Sequence, residues 1–326
     1  SGDIDVDGTT NLDIVDIDGA VDMASTLAVA NQVTITKTGT NAAPHIKLTE
    51  SGDTREFNIF NDGSGNGRLV LADSDDDTPD TEIVLADNGQ IQFKTATIER
   101  LNVAADGSLS TPTLGTSNVR FGVNAGNSIA SGGNYNVVVG DEAGTAITTG
   151  DDNTFIGYSS GDATTTAGGN TAVGSSAFST NTTGADNVAI GEAALLRSTT
   201  ASNNTAVGNN ALRENTTGPE NVAVGSGALD SNTTGANNSA VGMAALQATT
   251  TGNNNTGLGS GALYNNTVGF SNVAVGFNAL VSDTKGNKNT AIGQSALSTQ
   301  NFTSDTDSFN TAVGMSAGSL VTTGSL

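Results

Sequence analysis

The chain has 326 residues, enough for two or three domains, and its 11 Lys and Arg face 33 Asp and Glu, giving a formal charge of −22. This negative charge repels nucleic-acid phosphates and anionic lipids, so we expect neither nucleic acid nor membrane as a partner. There is no cysteine, which excludes disulfides and thiolate metal sites. No apolar stretch approaches the roughly 20 residues of a membrane span.

Residues 1 to 30 alternate acidic and aliphatic residues, as in Asp3-Ile4-Asp5-Val6-Asp7-Gly8. A period of two predicts half-buried strands with Gly turns, and hence an acidic β shaft segment. The run also opens like a calcium loop, but the twelfth position would be Ile14, where a bidentate Glu is required. We expect solvated aspartates and no metal, with calcium bridging between subunits as the alternative.

Residues 31 to 105 contain short apolar runs separated by turn clusters such as Asn61-Asp62-Gly63-Ser64-Gly65, whose residues tolerate positive φ. The pattern predicts a small antiparallel β domain resembling a sandwich. Its expected strands are Val33–Thr36, His45–Leu48, Glu56–Phe60, Arg68–Leu71, Glu82–Leu85 and Gln90–Phe93. We expect a structural role for His45, since no nucleophile motif accompanies it.

From residue 106 to 326 the chain repeats the phrase N-x-x-(apolar)-G twelve times, and nine of the eleven steps between copies are 17 residues. The asparagines that begin the repeats are Asn118, Asn136, Asn153, Asn170, Asn187, Asn204, Asn221, Asn238, Asn255, Asn272, Asn289 and Asn310. Each is numbered position 1 of its repeat. A fixed period this short predicts a β-solenoid or β-roll, in which every repeat is one rung stacked on its neighbours.

Position 4 of the repeat is apolar in all copies and mostly β-branched, which is typical of a buried strand. We therefore expect these side chains to stack in one internal core column. From the second repeat onward its members are Val139, Ile156, Val173, Ile190, Val207, Val224, Val241, Leu258, Val275, Ile292 and Val313.

Position 5 is Gly in every copy, which predicts a bend directly after the strand. The turn glycines of the central repeats are Gly174, Gly191, Gly208, Gly225, Gly242, Gly259, Gly276 and Gly293. Position 9 is Leu or Phe in the central repeats but Gly at Gly126, Gly144, Gly161 and Gly318. The two ends of the array are therefore atypical, as terminal repeats usually are.

One rung is expected to hold a strand, a second short segment with Ala-Leu, and a return turn at Thr-Thr-Gly. The position-1 asparagines should stack in an amide ladder. With few and small apolar residues per rung the core is thin, which favours several chains sharing it; we expect a parallel homotrimer. Eleven steps at the strand spacing give a rod about 50 Å long.

Two phrases, Asn187-Val188-Ala189-Ile190-Gly191 and Asn221-Val222-Ala223-Val224-Gly225, resemble the repeated motif in the heads of trimeric autotransporter adhesins. The resemblance implies a left-handed parallel β-roll with three chains side by side. The repeat in that family is shorter than the one in this chain.

A second resemblance covers more of the chain. The acidic N-terminal strands, Thr34-Ile35-Thr36-Lys37-Thr38-Gly39-Thr40, and Ile98-Glu99-Arg100-Leu101-Asn102-Val103 followed by Asp106-Gly107 look like tail-fibre proteins of marine bacteriophages. This implies homotrimeric fibres, many with a C-terminal chaperone domain that is cleaved off after assembly. The last 17-residue unit, from Asn310, ends at residue 326, so we expect a removed domain there or a cut at a rung boundary.

Carboxylates are the only catalytic groups present in quantity. A glycan-cleaving site would pair two of them beside aromatic platforms, and the chain has no Trp and three Tyr. The Gly-rich phrases lack the Gly-Lys-Ser/Thr of a phosphate loop. We therefore expect no catalysis and no cofactor. The N-x-T/S sequons at Asn181, Asn215 and Asn232 are explained by turn-forming Asn without glycans.

Two function classes remain, and both are elongated and non-enzymatic. In the first, the chain is a tail-fibre subunit of a phage virion that provides reach and host attachment. In the second, it is a bacterial cell-surface adhesin or an extracellular filament. The expected partners are copies of itself, other tail or fibre proteins, and a host surface receptor for which a glycan is one candidate.

Overall fold

The structure, a computed structural model, describes residues 45–49, 56–61, 69–74, 81–85, 90–95, 98–103, 109–110 and 115–324. These residues form strands and turns, and the described ranges contain no helix. The all-β prediction is thereby confirmed for this part of the chain. The acidic strands of residues 1 to 30 and the strand predicted at Val33–Thr36 lie outside the described residues.

The first part of the described chain is a seven-stranded antiparallel sheet in which each strand pairs with the next one in sequence. Its strands are β1 (His45–Thr49), β2 (Glu56–Asn61), β3 (Leu69–Ser74), β4 (Thr81–Leu85), β5 (Ile91–Thr95), β6 (Ile98–Val103) and β7 (Leu109–Ser110). The antiparallel prediction is confirmed. The described strands make one sheet, because short connections keep sequential strands adjacent. The sandwich stays a prediction.

The second part is a parallel β-solenoid of twelve three-residue strands. These are β8 (Val119–Phe121), β9 (Val137–Val139), β10 (Thr154–Ile156), β11 (Thr171–Val173), β12 (Val188–Ile190), β13 (Thr205–Val207), β14 (Val222–Val224), β15 (Ser239–Val241), β16 (Thr256–Leu258), β17 (Val273–Val275), β19 (Thr290–Ile292) and β21 (Thr311–Val313). Each pairs in parallel with its counterpart in the next repeat, so they form one long sheet. The predicted rung stack is confirmed.

The last step of the repeat is 21 residues long, and a strand within it forms a short side sheet with the end of the preceding repeat. In it, β18 (Gly286–Asn287) pairs in parallel with β20 (Thr306–Asp307). The insertion lies beside the stack without breaking it, because β19 and β21 still pair in register.

Backbone hydrogen bonds join every rung to the next at several points around its outline. In the central repeats, the N–H of Val188 donates to the carbonyl of Asn204 at 2.8 Å, and Leu195 N donates to Ala211 O at 3.0 Å. Outside the short strands the turns are therefore also paired between rungs, which satisfies backbone groups that would otherwise be buried unpaired.

The core of the solenoid is a narrow stack of small side chains from positions 3, 8 and 9. Position 3 is buried in eleven of the twelve strands, the exception being Arg120 in β8. Alanine dominates positions 3 and 8, and leucine at position 9 supplies most of the apolar volume, as with Leu195, Leu212 and Leu229. These residues form one continuous cluster along the rod.

Large and small side chains change places between neighbouring rungs. In the third rung Phe155 at position 3 fills the core and position 9 is Gly161; in the fourth, position 3 is Ala172 and position 9 is Phe178. A Cβ at Gly161 would lie 2.6 Å from the Phe155 ring. The glycines at position 9 near the N-terminal end of the array thus accommodate bulk placed elsewhere in the rung.

Position 9 also has a left-handed backbone conformation. Leu195, Leu212 and Leu297 have φ of +51°, +52° and +48°, values that are uncommon for a branched side chain. Gly126, Gly144, Gly161 and Gly318 adopt the same region at the ends of the array. Stacking of identical rungs holds the leucines there, since each Leu N–H bonds to the next rung.

Candidate functional site: the outer face of the long sheet

The long sheet has one face toward the core and one toward solvent. Positions 2 and 4 of the strands β8 to β17, β19 and β21 point outward, and we call their side chains the outer sheet face. At position 4, the exposed fraction is 36% for Val224, 47% for Leu258 and 67% for Val313. A row of aliphatic side chains therefore lies on the surface of the single chain.

The internal column predicted at position 4 is corrected to an external one. The predicted members Val139, Ile156, Val173, Ile190, Val207, Val224, Val241, Leu258, Val275, Ile292 and Val313 are all exposed or half-buried. They do stack in register, as Val207 pairs with Val224 and Val224 with Val241. The physical reason is the alternation of a strand: with Asn at position 1 and Ala at position 3 turned inward, positions 2 and 4 must face outward.

The outer sheet face carries no charge. Position 2 is Val, Thr or Ser and position 4 is Val, Ile, Leu or Phe in every repeat, although the whole chain has a net charge of −22. The position-4 side chains alone make a continuous apolar row, and contiguous apolar surface on a monomeric protein marks interaction sites.

Glycine at position 5 closes this face and turns the chain toward the next side of the rung. The turn glycines Gly174, Gly191, Gly208, Gly225, Gly242, Gly259, Gly276 and Gly293 have φ between +127° and +137°. A Cβ there would lie 2.4 to 2.7 Å from backbone atoms of the glycine in the next rung. Both the conformation and the contact exclude a side chain.

A rim of larger side chains stands at position 6, beside the outer sheet face. Tyr158, Met243 and Phe277 are exposed by 58%, 63% and 53%. At this position the other rungs have Val, Met, Ser, Asn, Gln, Asp or Glu, so the rim is discontinuous. It widens the apolar surface at particular levels of the rod.

A buried asparagine ladder runs directly behind the outer sheet face, as expected. The Asn221 backbone N–H donates to Asn204 Oδ1 at 3.0 Å, and Asn221 Nδ2 donates to Gly235 O at 2.8 Å. Asn221 Oδ1 in turn accepts from Asn238. Each amide thus joins three rungs, and the ladder holds the strands in register.

A second buried polar column, at position 12, was not predicted. It consists of Thr164, Asn181, Ser198, Asn215, Asn232, Thr249, Asn266, Asp283 and Gln300. Three of the sequon asparagines lie in it, so their amides are inside the core. The signal was the Asn or Asp that recurs three residues before a Gly: Asn181 Oδ1 accepts from Gly184 N, and Asp283 Oδ1 accepts from Gly286 N.

Charged groups lie on other sides of the rung. Arg213 contacts Asp230 at 3.1 Å, and Arg197 contacts Glu214 at 3.0 Å. Burial raises the pKa of Asp162, with the charge of Glu142 adding to it and backbone N–H donors opposing it. At the insertion, the hydrogen bond from Lys288 lowers the pKa of Asp307.

Groups suited to metal chemistry are not assembled in this part of the protein. Among the described residues, no three or more His, Asp and Glu lie together in a way that could hold a metal ion.

The described ranges also hold no helix long and apolar enough to cross a membrane.

Comparison with protein-family models, with curated proteins and with solved structures gives no match.

Proposed function

We propose that the chain is a structural subunit of a phage tail fibre that provides reach and host attachment without catalysis. The observation that carries the proposal is the uninterrupted parallel stack of twelve strands, one per rung, from β8 to β21. A surface-attachment fibre has to be long and stiff, and a solenoid supplies length without a large core because each rung contacts only its neighbours.

The fibre form that we propose is a parallel homotrimer. The core of one chain is filled mostly by Ala and Leu and is therefore thin. Thin rods gain stability when copies share apolar surface, and cyclic symmetry about the rod axis gives every copy the same contacts. Other tail or fibre proteins and a host surface receptor, with a glycan as one candidate, complete the proposed set of partners.

The interior supports a scaffold role. Buried polar side chains such as Asn221 and Asp283 accept hydrogen bonds from amides and backbone N–H groups of neighbouring rungs. Their hydrogen-bonding capacity is used for stacking, which leaves little of it for a substrate. Attachment would then be multivalent, since several weak sites on one fibre gain from their high effective concentration.

Immunolabelling tests the location. An antibody raised against residues 118 to 326 should decorate the tails of purified native particles in electron micrographs. Labelling of a bacterial envelope in the absence of particles would instead support the adhesin alternative and overturn the tail-fibre proposal.

Incubation with host polysaccharide tests the absence of catalysis. The purified chain should bind or ignore the polymer but leave its size distribution unchanged, as measured by gel filtration. Released oligosaccharides would overturn a purely structural function.

A further inference from the structure

The outer sheet face has the properties of a contact surface that is covered in the working protein. Its aliphatic column is exposed or half-buried in the single chain, and Val222 at position 2 is exposed by 38%. Leaving such β-branched side chains in water is unfavourable along the whole rod.

We propose that this face is where copies of the chain meet, parallel and in register, with the position-4 columns turned toward a common axis. The inference deepens the proposed fibre and rests on it for the number of copies. The thin core is an argument for several copies but does not say which side chains they share. The present proposal assigns the contact to positions 2 and 4.

Charge favours a second copy over a differently built partner. Each copy has a net charge of −22, so two copies repel one another when charged sides approach. Positions 2 and 4 hold no Asp, Glu, Lys or Arg in any of the twelve repeats. The outer sheet face is therefore a side on which two identical acidic rods approach without placing like charges opposite each other.

Periodicity points to the same occupant. The outward side chains recur with every rung, in the unbroken register of β8 through β21. A partner that packs along the full length needs ridges with the same spacing, about 4.8 Å. A copy of this chain has that spacing, and a parallel copy keeps it in register from the first rung to the last.

The size of the face is adequate for assembly. Twelve strands about 4.8 Å apart and about 10 Å long cover roughly 500 Å² per chain. Rim side chains such as Tyr158, Met243 and Phe277 extend this footprint toward the roughly 800 Å² per partner of a stable interface.

Sedimentation velocity of the whole chain at micromolar concentration tests the interface. The parent should sediment as an assembly with about three times the 32.3 kDa chain mass. The variant Val207→Asp/Val224→Asp/Val241→Asp places like charges across the axis and should raise the dissociation constant at least tenfold. Since these side chains are exposed or half-buried in one chain, circular dichroism of the variant should still show β structure.

The control adds the same charge to the same rungs on another side. Thr217, Thr234 and Thr251 are exposed, and the triple variant Thr217→Asp/Thr234→Asp/Thr251→Asp should sediment like the parent. A parent that is a folded monomer, or a control that dissociates as readily as the sheet-face variant, would overturn the interface.

Cysteine cross-linking covers the case in which the charged variant does not fold. The parent has no cysteine, so Val224→Cys introduces a single thiol on the proposed contact. Oxidation should yield disulfide-linked dimers on a non-reducing gel, whereas Thr234→Cys should stay monomeric. The reverse pattern would contradict the proposal. Particles that label with the antibody while their chains do not cross-link would refute the interface alone and leave the tail-fibre function standing.

Discussion

At single positions of the rung, buried amides determine which neighbours are tolerated. In the position-12 column, every Asn or Asp is followed three residues later by Gly, and a Cβ at Gly235 would lie 2.4 Å from Asn232 Oδ1. Rungs with Ala at that later place have a shorter polar residue instead, as in Ser198 with Ala201. An Asn or Asp at position 12 therefore requires a Gly three residues later.

At Thr249 this requirement is met, so an Asn there is predicted to stabilise the protein. Thr249 is followed by Gly252, and its neighbour Asn232 has an Oδ1 with no hydrogen-bond partner within the protein. Thr249→Asn should extend the column, donate to Asn232 and stabilise the fold by about 1 kcal/mol in urea unfolding.

Ser198→Asn is the matched control for that substitution. It adds the same amide beside Ala201, where the methyl group blocks it, and should cost about 1–3 kcal/mol. Equal effects of the two variants in urea unfolding would show that the glycine does not decide the outcome.

At the scale of one rung, the summed volume of the core side chains at positions 3 and 9 is kept, but the larger side chain can stand at either position. The third rung places bulk at position 3 with Phe155, and the fourth places it at position 9 with Phe178. The two arrangements fill the same space, because the side chains at positions 3 and 9 face each other across a narrow core. Adjacent rungs of either type still stack with the same backbone bonds.

Gly161→Leu tests this exchange. Alone it should destabilise the protein by about 1–3 kcal/mol, since its Cβ meets the Phe155 ring, and Phe155→Ala alone should cost about 3–5 kcal/mol through a cavity. The double variant recreates the Ala–Leu rung and should recover at least about 1 kcal/mol relative to the sum. Thermal melting of the four proteins measures the coupling, and strictly additive losses would contradict the exchange.

For the whole molecule, acid should affect stability in two opposite ways. The folded pKa of Asp162 is raised by burial, so its protonated form is favoured in the fold and its contribution to stability increases as pH falls through that pKa. The folded pKa of Asp307 is lowered by Lys288, so its contribution is present above the unfolded pKa and is lost as pH falls through the folded one.

Asp162→Asn should therefore raise the melting temperature most at pH 7 and progressively less toward pH 4. Asp307→Asn should lower it at pH 7, again with a difference that shrinks in acid. Calorimetry of both variants between pH 7 and pH 4 measures whether each substitution raises or lowers the melting temperature. An Asp162→Asn variant that is less stable than the parent at pH 7 would refute the assignment to burial.

The sequence predicted the architecture of the repeats well and their inner and outer faces poorly. The period placed all twelve strands, and the asparagines at position 1 correctly indicated a ladder. The error was to place β-branched side chains such as Val224 in the core, where Ala223 lies instead. In a core this narrow only Ala fits beside the leucines, and the buried Asn221 two positions earlier would have revealed which face is inside.

The position-12 column shows a different limit. Its polar members look like turn residues in the sequence, and only stacking shows that Asn232 and Thr249 are buried. Whether copies of the chain meet on the outer sheet face is a matter of association, which a single sequence does not determine.

The constant step between paired strands has a kinetic consequence. In the central solenoid, residues that pair across the sheet are separated by 17 positions whatever the length of the array. Relative to a 210-residue solenoid, that separation is about 0.08, a relative contact order in the range of helical bundles and well below that of β-sandwiches. Closing one rung costs the entropy of one short loop, and each closed rung then serves as the template for the next. An all-β rod of this kind can grow by one repeat without making its folding search any longer.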